Sequence, residues 1–83
     1  MLADLIMPKM GDASSEAWVE EWKKAPGDWV ETGELICIVS IDKAAFDYES
    51  PYDGKLVEIL VPVSAIVSPG TPIARIDVVH ESE

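Results

Sequence analysis

One lysine in this chain stands apart from the others. Lys43 lies in Ser40-Ile41-Asp42-Lys43-Ala44, between the apolar run Leu35-Ile36-Cys37-Ile38-Val39 and a second run, Ala45-Phe46 with Tyr48. A neutral lysine amine is an acyl acceptor. On a bend between two strands it would be open to a modifying enzyme and fixed in place by the strands. A lysine alone is ordinarily solvated surface, so the argument rests on the setting, with an acid before it, a small residue after it and no other charge in the bend. The other reactive residues carry less. Asp42, Asp47, Glu49 and Asp53 are spaced unlike a calcium loop and lack its glycine, so they read as a solvated strand face. Cys37 reads as a small core residue, because a reactive thiol needs an exposed, electropositive setting. His80 has no serine or cysteine nucleophile plausibly paired to it. No catalytic residue and no metal ligand is assigned.

The composition sets bounds on that chemistry. A chain of 83 residues makes one small domain, which buries roughly 60% of its unfolded surface and leaves no room for a cleft between two domains. The net charge of −10 argues against nucleic acid and anionic membrane as partners, since both need a positive footprint. It favours a module that meets basic patches on other proteins. No apolar run approaches the ~20 residues of a membrane-spanning helix. Met1 is not followed by a basic, leader-like segment. A single cysteine weakly favours a reducing compartment. The expected location is the bacterial cytoplasm or an organellar matrix, with the domain covering residues 1–79 and a polar tail or linker start at 80–83.

The elements that must position Lys43 read as strands, with no helix. Leu5-Ile6-Met7 is a short strand stopped by Pro8, and Trp18 to Trp22 is a second. Ala25-Pro26-Gly27-Asp28 is a turn, Trp29-Val30 a short extended piece, and Glu31-Thr32-Gly33 another turn. Leu35 to Ile41 is apolar on both faces, as a core strand should be. Ala45 to Glu49 alternates, with Phe46 and Tyr48 on one face and Asp47 and Glu49 on the other. Pro51 to Gly54 is a turn. Leu56 to Val63 is a strand that Pro62 pushes toward an edge, and Ile73 to Val79 is the last. Short strands punctuated by Gly and Pro predict an all-β sandwich or barrel. Trp22 is expected in the core, with Trp18 and Trp29 partly exposed.

An internal repeat sharpens this expectation. A shift of 37 positions carries Val30 onto Val67, Gly33 onto Gly70 and Ile36 onto Ile73. The same shift carries Val19 onto Leu56, Glu21 onto Glu58 and Trp22 onto Ile59. Two similar halves sharing one core are predicted, neither able to fold alone. The Lys43 bend lies in the link between them.

With these residues in view, the chain resembles the lipoyl domains, carrier modules of the biotin/lipoyl attachment family found in 2-oxo-acid dehydrogenase complexes. Met7-Pro8-Lys9-Met10-Gly11 is similar to that family's first strand and loop. Glu16 through Asp28, with Trp22 and Gly27-Asp28, is similar to its second strand and turn. Val30-x-x-Gly33 with Leu35-Ile36 is similar to the approach to its modified hairpin, and Asp42-Lys43-Ala44 to its attachment triplet. Asp47, Ser50-Pro51, Gly54 and the stretch Gly70 to Ile76 also match in pattern. The chain departs at Ser40-Ile41, where the family usually has Glu-Thr, and at Ala17, where it usually has glycine.

The resemblance implies a flattened barrel of two four-stranded antiparallel sheets related by a pseudo-twofold, with the lysine at one end and both termini at the other. It implies lipoic acid in amide linkage on Lys43, with Asp42 and Ala44 as flanking recognition residues. It implies a swinging arm that passes acyl groups and electrons between a thiamine-diphosphate-dependent decarboxylase, the acyltransferase core and dihydrolipoyl dehydrogenase. A lipoate ligase or lipoyl transferase would load the arm, and the isolated domain would be a monomer and not a catalyst. Two alternatives accompany this reading. A biotin carrier favours methionines flanking its lysine, and an unmodified structural or adaptor module would make Lys43 incidental.

Overall fold

The computed structural model describes residues 1–9, 16–41 and 44–79. Among the described residues, seven strands form two antiparallel sheets: β1 (Leu2–Ile6), β2 (Ala17–Trp22), β3 (Trp29–Val30), β4 (Leu35–Ile41), β5 (Ala44–Glu49), β6 (Gly54–Ile59) and β7 (Pro72–Val78). One sheet has the order β1-β7-β6-β3 and the other β2-β4-β5. The second sheet has three strands where the resemblance implied four. In the fourth place an isolated bridge joins Ala17 to Val67, in mutual hydrogen bonds of 2.8 and 3.2 Å. Val67 follows turn residues and precedes Pro69, so no longer ladder forms there.

The repeat is matched pair by pair. In β2–β4 the partners are Ala17↔Ile41, Trp18↔Ser40, Val19↔Val39, Glu21↔Ile38 and Trp22↔Cys37. In β6–β7 they are Gly54↔Val78, Lys55↔Asp77, Leu56↔Ile76, Glu58↔Arg75 and Ile59↔Ala74. Every member of the second set lies 37 positions after its counterpart, and each ladder carries a β-bulge at the same step. The loops follow suit. Gly27 N–H donates to the Leu56 carbonyl, and Ser64 N–H donates to the Val19 carbonyl. Gly33 and Gly70 both lie in turns, as expected.

β1 and β6 differ most from the sequence reading, while β2, β5 and β7 differ by a single residue at their ends. β1 begins at Leu2, because Leu2↔Asp77 and Ala3↔Ile76 extend its pairing with β7 toward the N-terminus, and it ends at Ile6, before Met7. β6 ends at Ile59 and does not reach Val63. Pro62 has no N–H to give a ladder, and Ser64 turns the chain with φ +73°. The Leu60 N–H still reaches the Ile73 carbonyl, and the Val61 carbonyl takes the Trp22 indole N–H.

The core sits between the sheets. Val19, Ile36, Val39 and Ile41 come from one half, and Leu56, Ile73, Ile76 and Val78 from the other. Leu5, Met7 and Val30 complete it, all essentially without solvent contact. Trp22 is half-buried against this core, and Trp29 is exposed.

The sheets also fix which end is which. The Met1 ammonium bonds the Asp77 carboxylate at 2.8 Å, so the N-terminus lies beside the end of β7. Asp53 joins that end to the start of β4. Its carbonyl accepts the Val79 N–H, and its carboxylate accepts the Thr32 N–H at 2.7 Å. β4 then runs away for seven residues, which is about 20 Å of strand. The molecule is elongated to match, 42 × 22 × 17 Å.

Candidate functional site

The far end of β4 is where the sequence placed its reactive lysine. β4 and β5 pair through Val39↔Phe46, Ser40↔Ala45 and Ile41↔Ala44. Asp42 and Lys43, which join these strands, lie outside the described residues. Ala44 is described: it is exposed, as is Ala45 beside it. The register is held from within by Ile41 and Val39, both buried, so the ladder is anchored up to its last pair. Small exposed side chains there leave space for an approaching enzyme. An acyl group tethered at this end would have a fixed base and open surroundings, so these residues fit an attachment site.

The outer face of the same end carries a polar contact that the sequence reading did not single out. Glu20 is the extra residue of the β2 bulge, between Val19 and Glu21. Its Oε2 accepts the Ser40 hydroxyl at 2.6 Å and the Trp18 indole N–H at 2.7 Å. These two hydrogen bonds, Ser40 first, hold the Glu20 carboxyl below the usual carboxylate range. Ser40 is nearly buried beneath this contact, at 6% exposure, while Glu20 itself is exposed. Apart from β2's alternation, which turns Trp18 outward with Ser40, no sequence signal marks it, because a bulge belongs to the pairing of two strands.

The remaining candidates take structural positions. Cys37 is buried, and burial pushes its thiol up to about 12, so it is a packing residue with no nucleophilic character. Asp47 and Glu49 point to solvent along β5, as their alternation required. Asp53 staples two turns. Tyr48 leans across to the edge of the other sheet and donates its hydroxyl to the Ile6 carbonyl at 2.8 Å. His80 lies outside the described residues. Lys24 pairs with Glu34 at 2.6 Å and Lys23 with Glu21 at 3.2 Å.

Comparison with known proteins agrees with this geometry. The model of the biotin/lipoyl attachment family, described as biotin-requiring enzyme, matches residues 3–76. Among curated relatives, the dihydrolipoyllysine-residue acetyltransferase component of the acetoin cleaving system of Bacillus subtilis is 38% identical over 82 residues, 99% of this chain and 21% of the relative. The corresponding component of the pyruvate dehydrogenase complex of Corynebacterium glutamicum is 41% identical over 73 residues, 88% of this chain and 11% of the relative. The chain thus spans about a fifth or less of the length of these relatives. Among solved structures, the lipoyl domain of the 2-oxoglutarate dehydrogenase complex from Azotobacter vinelandii superposes with a TM-score of 0.75 at 26% identity, covering 89% of this chain and 94% of that one. The chain belongs to the biotin/lipoyl attachment family, and within it is a carrier domain of the lipoyl type.

Proposed function

We propose that Lys43 carries lipoic acid in amide linkage and that the domain serves the acyltransferase component of a 2-oxo-acid dehydrogenase or acetoin-cleaving complex. The observation that carries this is the β4–β5 ladder, which stays paired to Ile41↔Ala44 and leaves Asp42 and Lys43 as its only connection. Attachment forms a bond between the lysine Nζ and the lipoyl carbonyl. The amine loses a proton, and the leaving group of the activated acid departs. When bound, the group supplies a disulfide that takes up an acyl group and two electrons together. The chain's own part is to hold the base of the arm still on a buried ladder, to keep Ala44 and Ala45 small beside it, and to present an acidic face to partners. Tethering raises the arm's local concentration at each site it visits. A decarboxylase, the acyltransferase core and dihydrolipoyl dehydrogenase are the partners this reading entails.

Lipoate is favoured over biotin because Asp42 and Ala44 stand where biotin carriers favour methionine. The test is co-expression with a lipoate ligase and intact-mass measurement of the wild type and Lys43→Arg. Arginine keeps the charge but is no acyl acceptor. The wild type should gain one lipoyl group and the variant none, with thermal melts that agree. A modified Lys43→Arg protein would move the site elsewhere. In parallel, the double change of Asp42 and Ala44 to methionine should shift loading from lipoate ligase toward biotin ligase.

A further inference from the structure

Glu20 sits on the outward face of the sheet that leads to Lys43, on the strand next to the attachment hairpin. Its position is set by two independent donors on two strands, Trp18 on β2 and Ser40 on β4, and both use Oε2. Among the described residues no donor reaches Oε1. An exposed glutamate ordinarily wanders among rotamers, and one held by two short hydrogen bonds is pre-organised for a partner. Ser40 is three residues before Lys43 in sequence, and its cross-strand partner Ala45 offers no competing side chain. The corresponding bulge in the other half carries Val57, which is 44% exposed and has no charge to offer. Backbone geometry therefore does not demand an acid at this bulge.

We propose that Glu20 is a specificity-determining residue for attachment, presenting a fixed carboxylate that a cationic side chain of the lipoate-attaching enzyme reads beside Lys43. This rests on the proposed modification of Lys43. The attaching enzyme is favoured over the acyl-donating decarboxylase for a steric reason. It must take the lysine amine itself into its active site, so the surface around the base of that side chain enters the contact. A decarboxylase needs only the far end of a long arm. A charge-assisted hydrogen bond across such a contact is a strong one.

The experiment follows lipoate transfer to the apo-domain by purified lipoate ligase, measured by intact mass at several domain and salt concentrations. Glu20→Gln keeps an acceptor for Ser40 and Trp18 and removes the charge. It should lower kcat/KM by roughly tenfold at low salt, with the gap closing as salt rises. Glu20→Asp should recover part of the rate. Ser40→Ala, which leaves the carboxylate held by Trp18 alone, should fall between Glu20→Gln and wild type. Thermal melts of all variants should stay close to wild type, and a Glu20→Gln protein that fails to fold leaves Ser40→Ala and Glu20→Asp to decide. Equal rates for wild type and Glu20→Gln, or a deficit indifferent to salt, would overturn the proposal. So would normal lipoylation combined with slowed reductive acylation by the decarboxylase, which would assign Glu20 to that partner. A wild-type domain that takes no lipoyl group would instead overturn the functional reading beneath it.

Discussion

The two halves of this domain share a backbone and differ in what they show to solvent. Around the β2–β4 ladder the outer row reads Trp18, Ser40, Ala45, with Glu20 laid over it. Around the β6–β7 ladder the same row reads Lys55, Asp77, Leu2, with Val57 at the bulge and the Met1 ammonium on Asp77. One end thus places a tethered carboxylate beside small, open residues, and the other is closed by an ion pair between the chain's own N-terminus and last strand. A repeated fold therefore gives two equivalent platforms, and side chains distinguish the one that carries the candidate site. The same asymmetry runs inside. Cys37 faces the place that Ala74 fills in the other half, and Tyr48 stands where β1 has Leu5.

Substitutions that exchange residues between the halves test how far the equivalence goes. The largest effect is expected at Gly54, whose counterpart is Ala17. A Cβ on Gly54 would run into the Asp77 carbonyl oxygen and lie 3.1 Å from Val78 Cα, all backbone that cannot step aside. Gly54→Ala should cost about 3 kcal/mol in urea unfolding, whereas Ala17→Gly should cost about 1 kcal/mol. Equal costs at the two positions would mean the strands are spaced alike in both halves.

A second exchange is Cys37→Ala, which copies Ala74. The folded thiol titrates near 12, above the ~8.5 of an unfolded cysteine. The unfolded chain therefore loses its proton first. The stability due to the neutral thiol is intact below about pH 8.5 and drains away as pH rises toward 12. Cys37→Ala should cost roughly 1 kcal/mol at neutral pH from lost packing and should flatten the alkaline fall in stability between pH 9 and 11. Tyr48, also raised to about 12 mainly by burial, contributes to the same fall. The slope that remains in Cys37→Ala should shrink further in Tyr48→Phe.

The third exchange concerns the turn. Ser64 holds φ +73° where its counterpart Gly27 holds φ +98°. Ser64→Gly should raise stability by up to about 1 kcal/mol, and Gly27→Ser should lower it by a similar amount, since nothing crowds a Cβ at Gly27 and only backbone strain is at stake. The smallest effect on stability belongs to Glu20→Gln, within about 0.5 kcal/mol. Set against the tenfold change expected in lipoate transfer, that would separate the fold shared by the halves from the site owned by one.

Much of this comparison was legible in the sequence. Alternation in Ala45 to Glu49 and the apolar run Leu35 to Ile41 gave the hairpin, because side-chain period and burial act on each strand locally. The Val30/Val67, Gly33/Gly70 and Ile36/Ile73 correspondences gave the two halves. Register was not legible. The bulge that brings Glu20 onto Ser40 arises only when β2 meets β4, so Glu20 looked like any solvated acid. Leu60 to Val63 looked like strand because the residues are apolar, but within this loop only Val61 is buried, while Pro62 and Val63 are exposed. The repeat marked Val67, but not its pairing with Ala17, because one bridge leaves no alternation to read.

The pairing of β1 with β7 has a consequence for biosynthesis. Met1 meets Asp77, 76 positions later in the chain. Once made, β1 must wait, edge groups unpaired, until β7 has been made. The β2–β4–β5 sheet draws only on residues 17 to 49, so its partners are all available before β6 and β7 are made. The end that bears Lys43 can thus be assembled on the nascent chain while the opposite end is still open, and the finished core arrives only when the final strand closes over the first.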